Sequence, residues 1–344
     1  MKILVLGGTS FLGPAIVEDA IARGWEVVLF NRGRTNPHLF PELEKIRGDR
    51  TTSDVARISA VDCDAVVDTS GYFPAHVRAA AEAVRDRAPQ YLFVSSVSAF
   101  ADLSVVGLTE DAATARLEGE RLARIDALGF EDLRSDMSLY GPLKAACEEA
   151  AEAALPGRTT VLRPCFIVGP RDRANRVHYW PGRMHQGGEI LAPGPRDVPV
   201  QLVDVRDLAR FANRCLAERH VGVHTVAGPA STTPIVELLH ACKAVTPTVG
   251  ALTWVGEEFL LGQGATSWSI PFWVAPSDAA SRGLQTVDAS KARARGLAFR
   301  PLAETARATL DDALSSGMDA GWPHGARMRE FERAWLAAWR EDGR

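Results

Sequence analysis

The first twenty-four residues constrain this chain more than any other stretch. Lys2-Ile3-Leu4-Val5-Leu6 is a short apolar run of the kind that forms a strand buried on both faces. It stops at Gly7-Gly8-Thr9-Ser10-Phe11-Leu12-Gly13. Residues 14–23 then read as a helix, with Pro14 allowed in the first turn and Gly24 ending it. A second apolar run, Glu26-Val27-Val28-Leu29-Phe30, completes a strand–turn–helix–strand unit. Such a turn offers backbone N–H groups at a helix N-terminus, where a diphosphate can be held. Gly7 and Gly13 are the motif glycines, and Ser10 stands where the commonest fingerprint has a third glycine between them.

The pattern repeats. The end of a third strand is expected at Ile46–Asp49, a fourth strand and its loop at Ala65–Gly71, and further strands at Tyr91–Val94 and Thr159–Pro164, with a surface helix at Ala75–Ala88 and a helix from Tyr140 to Leu155. This alternation over residues 1–170 predicts an α/β, Rossmann-type, doubly wound parallel sheet. The 102–139 stretch reads as a charged excursion with a helical piece near Ala112–Leu128. From 169 to 199 the chain turns rich in Gly, Pro, Arg and His. A strand at Val200–Val203, a helix at Val205–Arg219 and a short strand near Thr225–Gly228 follow. We expect residues 1–170, joined by 200–230, to form the dinucleotide-binding domain. Residues 171–199 and 231–344 are expected to form a smaller substrate-binding lobe and C-terminal helices, with the substrate between the two. Phe331, Trp335 and Trp339 recur every four residues and read as a packing stripe, within the chain or between subunits of a homodimer.

Composition narrows the class. Charged residues make up 24% and the net charge is −4, so no basic excess advertises nucleic acid or an anionic membrane. No segment is long enough to span a bilayer, and the start reads as a strand and not as a signal peptide. Five scattered cysteines without a close pair argue for reduced thiols in the cytoplasm, and against a zinc site. The partner expected is a small molecule.

Three places carry chemistry. Asn31-Arg32-Gly33-Arg34 follows the second strand, where the adenosine ribose lies in a dinucleotide fold. An acidic residue there would bind a 2′-hydroxyl; a neutral Asn and two arginines suit a 2′-phosphate, so NADP(H) is favoured over NAD(H). The small residues of the Thr69-Ser70-Gly71 loop let the backbone run along the nicotinamide side. Lastly, Tyr140 and Lys144 are four apart, on one face of a helix. An ammonium beside a phenol stabilises the phenolate, so Tyr140 can pass a proton to or from an oxygen while hydride moves at the carbon.

With the Ser95-Ser96 strand end, the Leu162-Arg163-Pro164 and Val168-Gly169-Pro170 segments, and Val203-Asp204-Val205-Arg206-Asp207-Leu208-Ala209, this conjunction resembles the extended short-chain dehydrogenase/reductase family of nucleotide-sugar epimerases and dehydratases. The resemblance covers roughly residues 1–230. It implies Ser96, four residues before Phe100, as the holder of the substrate oxygen. It implies Tyr140 as acid/base, and Lys144 as serving both the phenol and the nicotinamide ribose. Gly7, Thr9, Ser10, Phe11, Leu12 and Gly13 would line the diphosphate, Asn31 and Arg32 would face the adenosine ribose and its phosphate, and Asp49 would lie near the adenine. Thr69, Ser70, Tyr140 and Lys144 would complete the cofactor contacts. The chain also departs from the family. Val97 and Ser98 stand where 4,6-dehydratases carry an Asp-Glu pair, which argues against elimination of water. Val200 stands where many nucleotide-sugar enzymes carry an arginine, a role Arg196 or Arg171 could take. The favoured activity is NAD(P)(H)-dependent oxidation or reduction at a carbonyl or alcohol carbon. A sugar-nucleotide epimerase that retains its cofactor stays open, as does a non-catalytic cofactor-sensing or RNA-associated protein.

Overall fold

The computed structural model describes residues 1–172, 177–229, 232–267, 269–316 and 323–343. Residues 173–176 of the 169–199 stretch, and Trp268 of an aromatic stretch at 254–270, lie outside them. The chain divides into two compact units. The first comprises Met1–Cys165, Val205–Ala227 and Val287–Ala298; the second comprises Phe166–Asp204, Gly228–Thr286 and Phe299–Arg344.

The first unit is built on seven parallel strands: β1 (Lys2–Leu6), β2 (Glu26–Asn31), β3 (Glu44–Arg47), β4 (Ala65–Asp68), β5 (Tyr91–Val94), β6 (Thr159–Pro164) and β7 (Gly222–Val226). Their order across the sheet is β7-β6-β5-β4-β1-β2-β3. Chain direction reverses its progress at β1, whose Leu6 lies opposite Phe30 of β2 on one side and Asp68 of β4 on the other. In doubly wound sheets the crevice at the carboxyl ends beside such a reversal is where ligands bind. The central strands are apolar throughout because helices cover both faces: Ile3, Leu4, Val5, Val66, Val67, Leu92 and Phe93 are all solvent-inaccessible.

The helices of this unit, among the described residues, are α1 (Leu12–Ala22), α2 (Pro74–Ala83), α3 (Gly119–Ala123), α4 (Phe130–Ser135), α5 (Tyr140–Ala154), α6 (Val205–Ala217) and α7 (Ser290–Ala294). α1 packs on α6, and α2 packs on α5. The buried Asn213 of α6 ties the first pair together: its Nδ2 donates to the Ile16 carbonyl at 3.0 Å and to Asp19 Oδ2 at 2.9 Å.

Four local expectations are corrected here. α2 ends at Ala83, with Val77, Ala80 and Ala81 on its buried face and Arg78 and Glu82 exposed. Residues 112–117 are not helical. Thr114 pairs with Phe100, and Ala101 N donates to the Ala113 carbonyl while Ala115 N donates to the Ala99 carbonyl, so the extended backbone is already paired. The strand near 225–228 is β7, an edge strand of the main sheet in register with β6. The 200–203 strand is Leu202–Asp204, and it belongs to the second unit, where it pairs with Phe166–Val168.

Among the described residues, the second unit holds three two-stranded pairings, of which Gly188–Pro193 beside Gly250–Val255 is the longest. Its core is aromatic. The inaccessible Trp180 and Trp273 satisfy their indole N–H groups on the Pro271 and Gly194 carbonyls. The C-terminal stripe packs within the chain: Phe331 stacks on Trp335 at 5.2 Å, and Trp339 meets Phe259 at 4.8 Å. Residues 287–298, expected in the smaller lobe, go with the sheet.

Candidate functional site

The residues expected to hold the cofactor or carry catalysis lie in the first unit, in or just beyond the carboxyl ends of β1, β2, β3, β4 and β5, or in the first two turns of α5, whereas Arg171 and Arg196 lie in the second unit. At the end of β1, Gly7 (φ +114°) and Gly8 (φ +81°) take left-handed conformations that side chains disfavour. A Cβ on Gly7 would lie 2.5 Å from Thr69 Oγ1, and one on Gly13 would lie 2.5 Å from the Gly8 Cα. The turn is therefore pressed between the end of β4 and the first turn of α1. Sequence reasoning does not single out Gly8, although the adjacent Gly-Gly pair is its signal. Ser10 is exposed, Phe11 half-buried, and Thr9 and Leu12 are buried. The N-terminus of α1 has no side-chain cap and no acidic residue in its first turn, so its N–H groups are not answered by the chain's own side chains. A cradle that only glycine fits, opening on an uncapped helix start, suits a dinucleotide diphosphate.

Beyond β2 the side chains are partly committed to each other. Asn31 Nδ2 donates to the Gly7 carbonyl at 3.2 Å, and Asn31 Oδ1 accepts from the Gly33 N–H at 2.9 Å. Asn31 thus fixes two turns. Arg32 is exposed and approaches Asp49 only to 3.9 Å. Asp49 Oδ1 accepts from Thr51 N at 3.0 Å and Thr51 Oγ1 at 2.8 Å. These hydrogen bonds, then Arg32 and Arg34, hold its carboxyl below the usual range. Thr69 Oγ1 and Ser70 Oγ both donate to the Leu6 carbonyl, at 3.1 and 3.3 Å.

Under that loop lies a pair that no sequence motif marks. Arg50 donates to both Asp68 oxygens, at 2.7 and 2.8 Å, and to Ser70 Oγ at 3.0 Å. Tyr91 adds its phenol to Asp68 Oδ2 at 2.8 Å, and Asp68 Oδ1 accepts from Ser70 N at 3.0 Å. Asp68 is inaccessible and Arg50 has 13% side-chain exposure.

Ser96 caps the short turn Val97–Ala99, its Oγ accepting from Ser98 N at 3.1 Å and lying 3.2 Å from Ser98 Oγ. α5 starts at Tyr140. A Cβ on Gly141 would lie 2.1 Å from the Ser98 carbonyl oxygen, so glycine is what allows the first turn of α5 to seat on the 97–99 turn. That seating brings the Ser96 segment and Tyr140 together. Tyr140 is half-buried against a cluster containing Phe73, Leu133, Leu139 and Leu143.

Lys144, one turn on, is buried. Its Nζ donates to the Gly71 carbonyl at 2.8 Å and the Val94 carbonyl at 2.6 Å, and lies 4.3 Å from the Phe93 ring centroid. Burial pushes the ammonium down to about 8. Glu148, a further turn along, accepts from Arg163 Nη2 at 2.7 Å and from Ser95 Oγ, and Arg163 in turn lies 4.8 Å over the Phe100 ring. This second buried pair is likewise silent in the sequence.

A pH dependence follows from the lowered Lys144. Between about pH 8 and the ~10.4 of a free lysine, the unfolded chain binds a proton at this site that the folded chain does not. Wild-type stability, measured by denaturant unfolding relative to Lys144→Met, should therefore rise as pH increases across that window. A flat difference would show that Lys144 keeps an ordinary affinity for its proton, and a falling one that folding strengthens that affinity; either refutes the expectation.

Among the described residues, no cluster of His, Cys, Asp or Glu could hold a metal ion, and no helix is long and apolar enough to cross a membrane. The profile of the NAD dependent epimerase/dehydratase family matches residues 3–227. The chain is 27% identical over 219 residues to the 2-alkyl-3-oxoalkanoate reductase of Stenotrophomonas maltophilia, covering 61% of this chain and 64% of that one. It is 26% identical over 164 residues to the chloroplast stem-loop binding protein of 41 kDa b of Arabidopsis thaliana, covering 41% of this chain and 43% of that one. The matches thus span less than two thirds of either relative. Among solved structures, the UDP-glucuronic acid 4-epimerase of Bacillus cereus in complex with NAD superposes with a TM-score of 0.64 at 16% identity, covering 92% of this chain and 99% of that one. The UDP-glucose 4-epimerase of Thermotoga maritima gives 0.66 at 18%, over 92% and 99%. A human epimerase family protein with NADPH gives 0.60 at 19%, over 90% and 99%. At these identities the superpositions show a shared fold.

Proposed function

The chain belongs to the NAD dependent epimerase/dehydratase family, of the extended short-chain dehydrogenase/reductase type, and within it we propose an NADP(H)-dependent oxidoreductase acting at a carbonyl or alcohol carbon of a small or medium metabolite. The observation that carries this reading is the seating of the first turn of α5, which Tyr140 begins, on the 97–99 turn that Ser96 caps, made possible by Gly141, with Lys144 buried one helical turn on. In the direction of reduction, Ser96 donates a hydrogen bond to the carbonyl oxygen. Tyr140 gives that oxygen its proton, and the nicotinamide, when bound, supplies the hydride to the carbon. Lys144 keeps a positive charge close to the forming phenolate, which lowers the cost of the proton's departure. In the reverse direction the same proton returns to Tyr140. The Gly7–Gly13 turn would hold the diphosphate and Arg32 the 2′-phosphate. A ketone substrate agrees with the reductase relative, and the intact Ser96/Tyr140/Lys144 set speaks against a protein that only binds.

The test is purification followed by identification of what stays bound, and by NADPH consumption with a panel of ketones. Tightly retained NAD, with turnover of a sugar nucleotide and no net NADPH use, would replace this reading with an epimerase. For the cofactor, Arg32→Asp should swing binding from NADPH toward NADH by about tenfold or more, since a charged hydrogen bond to phosphate is worth roughly 1.5–3 kcal/mol. Wild-type protein that binds NADH as tightly as NADPH would refute the preference.

A further inference from the structure

We propose that Arg47 is the third arginine of a phosphate-monoester clamp, with Arg32 and Arg34, that selects a dinucleotide phosphorylated on its adenosine ribose. The inference rests on the NADP(H) reading above and adds a residue from a different strand. Arg47 ends β3 and is in register with Asn31, the last residue of β2. Beyond Asn31 the chain reverses through Gly33, which sits at φ +68° with its N–H on Asn31 Oδ1. The Arg47 guanidinium lies against that glycine. A Cβ there would be 2.8 Å from Arg47 Nε and 3.2 Å from both Cζ and Nη2. Gly33 thus does more than permit the turn, because any side chain at this position would push Arg47 aside.

Arg32 and Arg34 flank Gly33 in sequence, and all three arginines are exposed. Among the described residues, neither Arg34 nor Arg47 has a side-chain hydrogen bond or an ion pair, and Arg32 has only the 3.9 Å approach to Asp49. Three guanidinium groups therefore gather round one turn, and Thr51 already occupies one oxygen of Asp49, the carboxylate that Arg32 approaches. In a chain of net charge −4 this is a local excess of positive charge. Asn31 offers a bare ribose diol no carboxylate, and its amide group already serves Gly7 and Gly33. A phosphate monoester, with three acceptor oxygens and up to two negative charges, matches three planar donors.

The test is titration calorimetry of the full chain with adenosine 2′,5′-bisphosphate and adenosine 5′-monophosphate, for wild type, Arg47→Ala and Arg32→Ala. We expect wild type to bind the bisphosphate at least about tenfold more tightly than the monophosphate. Arg47→Ala should lose about tenfold on the bisphosphate and leave the monophosphate unchanged. Arg47 is exposed, so folding should be untouched, which circular dichroism checks. If wild type discriminates and Arg47→Ala discriminates equally well, Arg47 is outside the clamp and the proposal is wrong, while the role of Arg32 stands or falls on its own variant. If wild type does not discriminate, the NADP(H) reading fails and this proposal fails with it.

Discussion

Tyr140→Phe should fold and bind cofactor as wild type does, and should lose turnover by about 10²–10⁴, the usual cost of removing a positioned acid/base. The substitution deletes one oxygen. The ring keeps its place against Leu133, Leu139 and Leu143, and the glycine turn and the arginines lie on other loops. The experiment needs a ketone that wild type reduces, then kcat for the variant on that substrate, with NADPH titrated separately by fluorescence. An intact binding curve beside a collapsed kcat is the expected pair of results. Undiminished turnover would remove the proposed mechanism and leave only dinucleotide binding by the first unit.

Asp68→Ala should be the most destabilising single change near the site, by about 3–5 kcal/mol. It strips a mostly buried guanidinium of both its carboxylate oxygens and leaves the phenol of the inaccessible Tyr91 without its acceptor. Replacing both partners with apolar residues, as in Arg50→Met with Asp68→Leu, should recover most of the loss, because the uncompensated charge is then gone. Denaturant unfolding of the three proteins measures this, and a single variant within about 1 kcal/mol of wild type would mean that the pair contributes little. The pH dependence has a definite sign. Burial pushes the Asp68 carboxyl up, but Arg50, with help from Ser70 and Tyr91, outweighs it, and the net shift is downward. The stabilisation is thus fully present above the ~4 of a free aspartate and is lost as pH falls through the lower folded value. The gap between wild type and Asp68→Ala should close in acid.

The two buried pairs explain why some of the site is legible in the sequence and some is not. A four-residue spacing is a statement about one helix, so the spacing alone places Tyr140 and Lys144 on one face. The acceptors of Lys144 are another matter: Gly71 and Val94 lie 73 and 50 residues away, and both are backbone carbonyls, which no side-chain motif marks. Arg50 and Asp68 are 18 residues apart, and Glu148 and Arg163 are 15 apart, on different elements in each case. No periodicity connects residues on different elements, whatever their separation. Gly141 reads as an ordinary residue near a helix start until the Ser98 carbonyl oxygen is found 2.1 Å from where its Cβ would be.

The sequence by itself determined the class of fold, because an apolar run between breakers has few fates and each central strand of this sheet buries both faces. The runs at Lys2–Leu6, Ala65–Asp68, Tyr91–Val94 and Thr159–Pro164 announce themselves for that reason. The glycine turn and the arginines beyond β2 are legible for a similar reason, since left-handed backbone and unbalanced charge are properties of a few adjacent residues. Tertiary structure alone decided the rest. It placed Gly222–Val226 at the sheet edge, drew residues 113–115 into pairing beside Phe100, and laid Arg47 against Gly33. Such contacts join residues that the chain keeps apart, and their free energy comes from proximity that only the packed sheet and its helices create.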